Sequence, residues 1–306
     1  MNSRIPVASP GAIYLVALLL LFLCPELQAQ TVFCPPNINF EQGNLGVWEF
    51  YSGSCCPINT PTPGVITGRH TLTSGTAVDP IAGFPVVAPA AGLFSVKLGN
   101  QTTGAQAERA RYYVQVPTSS STFILTYRYA VVFQDPGHPS SAQPRFEVKA
   151  YDSATSTPLP CSQYTYVSSS SIPGFLQAGN SSTYYLPWTT GTINLSAYQG
   201  QTIAIDFAAG DCGYGGHYGY GYIDMNCGVF EIAPTRCDPN TNNITLNGPP
   251  GYQSYQWRDS ALTTILGNQQ AFTTPMPGTP TVYAVIVTPY PGFGCVDTIY
   301  TVFKTP

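Results

Sequence analysis

The fold is decided by the stretch WTTGTINLSAYQGQTIAIDF, residues 188–207. Two runs rich in β-branched residues flank a turn signal at Tyr198–Gln201, which predicts a strand, a turn and a returning strand. Similar runs recur between Gly and Pro clusters at residues 92–98, 110–116, 122–133 and 145–151. Gly and Pro contribute 29 residues each, and helix signals are nearly absent. The sequence therefore predicts an all-β fold whose packed sheets bury the alternating apolar faces.

Residues 1–29 have the features of a signal peptide. Arg4 is the only charge before an apolar run at residues 13–23, and Leu27 to Ala29 provide a cleavage site. The run is shorter than the roughly 20 residues of a membrane span. The alternatives are an uncleaved anchor and a lipoprotein modified at Cys24. We expect a mature chain that starts near Gln30, is secreted or held at the outer cell surface, and has no membrane span.

The charge pattern restricts the partners. Only 8% of residues are charged, and the formal net charge is −4. A nucleic-acid partner would need a basic patch or stripe, so none is expected. Ser, Thr, Asn, Gln and Tyr must supply most of the polar surface.

The chain divides near residue 233. Residues 30–232 predict one large sandwich, and residues 233–306 carry the strands of a small immunoglobulin-like or PKD-like sandwich with Trp257 in its core. The second unit is small for a stable domain, and a Cys237–Cys295 disulfide would staple it.

Three motifs in order resemble a known family. They are NFEQG at residues 39–43 with Trp48, the stretch at residues 188–207, and YID at residues 222–224. Together they resemble the galactose-binding-like jelly rolls of cleaved-adhesin and MAM-like modules. Residues 93–100, 129–138, 143–146 and 211–217 are similar to modules of Bacteroidetes surface proteins that are associated with type IX secretion, gliding motility and adhesion.

The resemblance implies a structural metal. Related jelly rolls hold one Ca²⁺ where the first and last strands meet, and Glu41 and Asp224 match those positions. Asn44 could supply a further oxygen ligand. The alternative is that both carboxylates are ordinary loop groups.

The mature chain contains eight cysteines, and an even number in an exported chain predicts disulfides. None of them forms a C-x₂-C knuckle, so zinc is the less favoured interpretation. Terminal strands neighbour each other in a jelly roll, which predicts a Cys34–Cys227 pair. A Cys161–Cys212 pair is the next expectation. The remaining cysteines, at positions 55 and 56, would then pair with each other.

A tyrosine strand is the candidate ligand site. Tyr218, Tyr220 and Tyr222 alternate with glycine, so they share one strand face. Such a face can stack sugar rings, although a core aromatic ladder has the same pattern. His217 and His138 are candidate ligand contacts or metal ligands, or plain hydrogen-bonding groups.

The sequence contains no local catalytic motif. It has no G-x-S-x-G, H-E-x-x-H or phosphate-loop signature, and no spacing selects a pair of catalytic carboxylates. We therefore expect a non-catalytic extracellular adhesion or carbohydrate-binding surface protein, whose partner is a glycan or cell-surface component. The alternatives are a structural spacer of a larger stalk and an accessory binding module of a secreted polysaccharide hydrolase.

Overall fold

The computed structural model describes residues 34–89, 91–118, 123–168, 174–179, 181–227, 234–238, 242–248, 252–289 and 295–303. For residues 161, 227, 234–238 and 302 it describes the backbone alone. The predicted signal peptide lies outside the described residues. Within them, no helix is long and apolar enough to cross a membrane.

Twelve strands of the first unit form two six-stranded antiparallel sheets. The first sheet has the order β2-β1-β5-β11-β7-β8, and the second has the order β3-β4-β12-β6-β10-β9. The strands are β1 Glu49–Ser54, β2 Asn59–Pro63, β3 His70–Ser74, β4 Phe94–Leu98, β5 Gln106–Gln115, β6 Ile124–Gln134, β7 Arg145–Asp152, β8 Pro158–Val167, β9 Leu176–Gln177, β10 Thr183–Asn194, β11 Thr202–Gly210 and β12 Gly219–Cys227. A 3₁₀ helix at Ser196–Tyr198 is the helical element among the described residues. The all-β prediction is confirmed.

Seven strands form the second unit. One sheet has the order β13-β14-β17 and the other β16-β15-β18-β19. The strands are β13 Pro234–Asp238, β14 Asn243–Asn247, β15 Ser254–Asp259, β16 Ile265–Gly267, β17 Ala271–Pro275, β18 Thr281–Thr288 and β19 Asp297–Phe303. Trp257 is fully buried at the centre of this unit's core, as the sequence predicts. The predicted boundary at residues 232 and 233 lies outside the described residues.

The main core lies between the two six-stranded sheets. Ile203, Ile205 and Phe207 of β11 are fully buried and face Tyr127 and other residues of β6 from the opposite sheet. Every second residue of a strand points to the same face, so the intervening positions of β11 point away from this core.

The stretch at residues 188–207 is not a hairpin. β10 pairs with β6 in the second sheet, while β11 pairs with β5 and β7 in the first. The turn therefore carries the chain across the sandwich, and Ile193 and Ile203 enter one core from opposite sides. Gly200 makes this possible with a φ of 76°, a conformation that glycine adopts easily.

Candidate functional site

The predicted tyrosine strand is β12, and the structure buries most of it. Tyr220 is 0% and Tyr222 is 2% exposed, whereas Tyr218 is partly buried. Phe84, Val86 and other residues of the segment before β4 cover the two rings and form a second apolar cluster with them. The expectation of an open sugar-stacking face is therefore wrong for Tyr220 and Tyr222, and the aromatic-ladder alternative describes them.

The two buried hydroxyls share one buried acceptor. Tyr222 donates to Oδ2 of Asp79 at 2.9 Å, and Tyr220 donates to the same oxygen at 3.0 Å. Burial, with the Asp79 charge as the next cause, raises the pKa of both hydroxyls above the ordinary value. Lys97 Nζ lies 3.8 Å from the centroid of the Tyr220 ring. The hydroxyl groups of Tyr220 and Tyr222 therefore have their hydrogen-bond partner inside the protein, as core residues do.

The predicted calcium ligands are only partly brought together. Asp224 is 2% exposed and accepts a hydrogen bond from Ser95 Oγ at 3.2 Å. Burial raises its pKa to about 8, and the charge of Glu41 contributes. The Glu41 carboxylate accepts the backbone N–H groups of Leu93 and Phe94. The two carboxylates therefore lie within electrostatic range of each other.

The side chain of Asn44 is engaged in local hydrogen bonds. Its side-chain oxygen accepts the N–H of Gly46 at 2.8 Å, and its amide donates to the carbonyl of Gln42. This is a local turn contact of the kind that asparagine commonly makes. The calcium site consequently stays a prediction that depends on the Glu41 and Asp224 pair.

One of the predicted disulfide pairings is contradicted by the structure. Cys55 and Cys56 form a disulfide with each other. Cys212 is a buried free thiol, so the predicted Cys161–Cys212 bridge is wrong. Cys34 and Cys295 are both disulfide-bonded. Their predicted partners, Cys227 and Cys237, have side chains outside the described part of the chain, and those two pairings stay predictions.

The outer face of the first sheet carries a polar and aromatic surface that the sequence analysis missed. It is centred on β11, whose neighbours β5 and β7 place a side chain on either side of each outward position. From one end to the other, the three rungs are Tyr113, Ala204 and Tyr151, then Arg111, Asp206 and Lys149, then Arg109, Ala208 and Glu147. With Tyr51 of β1, they form what we call the Asp206 surface.

The central carboxylate is held by a bidentate ion pair. Arg111 donates from Nε to Asp206 Oδ1 at 2.7 Å and from Nη2 to Oδ2 at 2.8 Å. Tyr151 also donates its hydroxyl to Oδ2, at 3.1 Å. The hydrogen bonds to Asp206 raise the pKa of Arg111, so its guanidinium stays charged at any physiological pH. The network fixes the donors and acceptors of the surface in place.

Arg109 is less completely satisfied. Its guanidinium carbon lies 4.2 Å from the centroid of the Tyr51 ring, and its Nη1 lies 3.4 Å from Asp206 Oδ2. Its Nε is buried and has no hydrogen-bond partner. Buried polar atoms are nearly always paired in folded proteins, so this guanidinium is held by weaker contacts than that of Arg111.

A groove of about 340 Å³ lies beside Arg109. Its floor is Ala208 and Asp206, where the small side chain of Ala208 leaves room between two long neighbours. Residues 58–60 and Arg109 form one wall, and Glu147 with its ion-pair partner Lys149 forms the other. The volume is within the range of small-molecule sites, about 300–1,000 Å³.

A second concavity lies between the open edges of the two large sheets. It has a volume of about 390 Å³ and is lined by core tyrosines such as Tyr127 and Tyr129 and by Tyr252 and Asp297 of the second unit. Thr192 Oγ1 lies 3.3 Å from the Tyr252 hydroxyl and 3.2 Å from Asp297 Oδ2. The lining is more apolar than polar, and its tyrosines Tyr127, Tyr129, Tyr164 and Tyr166 also belong to the main core.

Comparison with known proteins adds structural likeness only. No family model matches the sequence, and no curated protein matches it. Among solved structures, the carbohydrate-binding module TmCBM61 in complex with β-1,4-galactotriose is similar, with a TM-score of 0.35, 9% identity, and coverage of 63% of this chain and 95% of that one.

Two further solved structures are similar at the same level. The family 11 carbohydrate-binding module of Clostridium thermocellum, in complex with a mixed-linked tetrasaccharide, has a TM-score of 0.26 and 9% identity, and covers 61% of this chain and 91% of that one. A β-1,2-glucanase from Parabacteroides distasonis has a TM-score of 0.28 and 11% identity, over 84% of this chain and 36% of that one. These values are low, and the all-β class rests on the sheets of the chain itself.

Proposed function

We propose that this chain is a non-catalytic carbohydrate-binding protein of the cell exterior and that it holds a glycan on the Asp206 surface. The observation that carries the proposal is the groove beside Arg109, whose lining combines the cationic groups of Arg109 and Lys149 with the carboxylates of Asp206 and Glu147. A sugar hydroxyl both donates and accepts, so it can accept a hydrogen bond from one of these cationic groups while it donates to a neighbouring carboxylate.

The charges of the surface favour a neutral ligand. Arg109, Arg111 and Lys149 are balanced by the carboxylates of Asp206 and Glu147 and by Glu49, which lies opposite Arg111 on β1. A strongly anionic or cationic partner would meet like charges at close range, whereas a polyhydroxyl chain meets donors and acceptors alternately. This supports a neutral oligosaccharide.

Tyrosine rings extend the surface beyond the groove. Tyr113 and Tyr151 lie on either side of Ala204, whose small side chain they cover, and Tyr113 is 39% exposed. The flat apolar ring and polar tip of tyrosine suit the two kinds of surface that a sugar presents. The rungs follow the strands at about 3.3 Å per residue, so a glycan chain could lie across several of them.

The ion pairs on this surface favour binding over catalysis. A glycosidase needs two carboxyl groups that face the same bond, one of them with a raised pKa. Here Asp206 is locked by Arg111, and Glu147 is paired with Lys149. Both carboxylates of this surface are thus engaged in ion pairs with neighbouring cations.

The test is a glycan array probed with the mature chain and two variants. Tyr113→Ala removes a ring from the Asp206 surface, and Tyr300→Ala is the matched control, because Tyr300 is 44% exposed but lies in the second unit. We expect binding to neutral glycans by the unsubstituted chain and by Tyr300→Ala, with at least about a tenfold loss in Tyr113→Ala, as for loss of one stacking ring. Absence of any glycan binding, or equal binding by the two variants, would overturn the proposal.

A further inference from the structure

A histidine–cysteine cluster lies at one end of the first unit. Among the residues that the structure describes, His138, Cys212 and His217 form a group whose candidate ligand atoms all lie within 4.8 Å of one another. Cys212 is fully buried, and the two histidines are partly buried. None of the three belongs to the Asp206 surface.

The distances suit a tetrahedral ion. Cys212 Sγ and His217 Nδ1 are 3.5 Å apart. With Zn–S near 2.3 Å and Zn–N near 2.0 Å, two ligands of a tetrahedral zinc ion are separated by about 3.5 Å. The third ligand needs only a small side-chain adjustment, since its separation from the others is at most 4.8 Å.

His138 has a ring nitrogen that no hydrogen bond uses. Its Nδ1 is buried and has no hydrogen-bond partner. The His138 ring lies 5.3 Å from the His217 ring and 4.6 Å from the Tyr214 ring, measured between centroids. A buried ring nitrogen without a partner is costly unless something binds it.

The two loops that carry the cluster are fixed to each other. The N–H of Gly213 donates to the carbonyl of Ala142 at 2.9 Å, and the N–H of Cys212 donates to the carbonyl of His217 at 3.0 Å. Asp211 anchors the base of the second loop, because its carboxylate accepts the N–H groups of Gln106 and Gly219. The ligands are therefore positioned before any ion arrives.

We propose that His138, Cys212 and His217 bind a zinc ion through two imidazole nitrogens and one thiolate, with the fourth position open to water. Thiolate and imidazole are ligands that zinc prefers and that calcium and magnesium do not. The absence of a C-x₂-C knuckle does not count against this site, because its ligands come from two loops far apart in the sequence.

The ion would join the β6–β7 loop to the β11–β12 loop and protect the thiol from oxidation. The proposed zinc site also lies near the groove beside Arg109. Cys56 Sγ lies 3.3 Å from the carbonyl oxygen of Asp211, which precedes Cys212 in the chain. Residues 58–60, which follow Cys56 closely, line the groove. The proposal does not depend on glycan binding, because zinc affinity is measured without a sugar.

The experiment uses the mature chain without a histidine tag, freed of metal by a chelator and kept without reductant. Zn²⁺ is titrated by calorimetry, and Co²⁺ replaces it as a spectroscopic probe. The variants are Cys212→Ser, His138→Gln and His217→Gln. Tyr214→Phe is the control, since it changes the same loop and Tyr214 is 70% exposed.

We expect one zinc ion per chain, a zinc-dependent rise in melting temperature, and a thiolate-to-cobalt charge-transfer band. Each histidine variant should lose at least about tenfold in affinity, and Tyr214→Phe should lose none. His138→Gln keeps the test decisive if the cysteine variant fails to fold. The proposal is wrong if binding is not stoichiometric, if cobalt gives no thiolate band, or if both histidine variants bind as tightly as the unsubstituted chain.

Discussion

Two tyrosine-bearing sheet faces of the first unit differ in solvent exposure, because one is covered by a loop segment and the other is open. On β12, Tyr220 and Tyr222 point outward from the second sheet, yet the segment before β4 covers them. On the first sheet, Tyr113 also points outward and remains 39% exposed. Both faces alternate with period two, so the alternation identifies the face of a strand. Whether that face is open depends on a loop elsewhere in the chain.

The polar groups differ in the same way. The hydroxyls under the cover need a buried acceptor, which Asp79 supplies, and the result is a closed aromatic cluster. The open face instead carries charged side chains in pairs and retains an unpartnered donor at Arg109. The covered face therefore contributes to stability, and the open face is the one that we propose for glycan binding.

The largest expected effect is loss of stability in Tyr222→Ala. Removing a fully buried aromatic ring leaves a cavity and takes one of the hydrogen bonds from Asp79, so the free energy of unfolding should fall by about 3–5 kcal/mol. Urea unfolding followed by tryptophan fluorescence measures the change. A loss below about 1 kcal/mol would mean that the ring is not part of a packed cluster.

Asp206→Asn should have an intermediate effect. The variant replaces the bidentate partner of Arg111 by a neutral amide, which costs about 1–3 kcal/mol for hydrogen bonds to a partly buried charge. It should also weaken glycan binding, because the donors around it lose their fixed positions. Unfolding curves and glycan titrations check both parts. Unchanged stability together with unchanged binding would show that the network holds nothing in place.

The buried carboxyl group of Asp224 on β12 should make the free energy of unfolding depend on pH. Its pKa is about 8 in the folded chain, against an ordinary value of 3.8, because of burial. The folded state therefore binds the proton more tightly than the unfolded state does. The stability that this adds is fully present below pH ~4 and is lost as the pH rises towards 8. The slope for one proton is at most about 1.4 kcal/mol per pH unit. Urea unfolding with a chelator present should show this decline, and Asp224→Asn should flatten it.

Calcium gives the same residue a second test. An ion bound at Glu41 and Asp224 would hold the carboxylate ionised, so added Ca²⁺ at pH 8 should raise the melting temperature and a chelator should lower it. Glu41→Gln should abolish that response. A melting temperature that ignores both calcium and chelator would contradict the predicted site.

The smallest expected effect is that of Tyr113→Ala on stability. The ring is on the open face, so the free energy of unfolding should change by no more than about 0.5 kcal/mol. Comparing this change with the loss in Tyr222→Ala shows how differently the open face and the covered face contribute to the free energy of unfolding. A loss as large as that of Tyr222→Ala would mean that Tyr113 is also a core residue.

Residue pattern was enough to predict the strands and the fold class, because period-two alternation and turn residues are local properties. It was also enough to place Trp257 in the core of the second unit. It was not enough to show that the stretch at residues 188–207 crosses between sheets, since a short turn looks the same whether it joins paired strands or opposite sheets.

The Asp206 surface was missed for a related reason. Its rungs combine residues from β5, β7 and β11, and only the cross-strand register brings Arg111 opposite Asp206. The alternation of Arg109, Arg111 and Tyr113 within one strand was visible, and it was the available signal. The histidine–cysteine cluster was missed for the same reason, because His138 and Cys212 meet only after two distant loops pack together.

The position of a bound oligosaccharide tests the central claim most directly. A crystal structure of the chain with a neutral glycan selected from the array should show a sugar ring against Tyr113 or Tyr151. A hydroxyl of that sugar should lie within hydrogen-bond distance of Arg109 or Lys149. A glycan found instead in the cavity lined by Tyr127 and Tyr252, or on the second sheet beside Tyr218, would contradict the account.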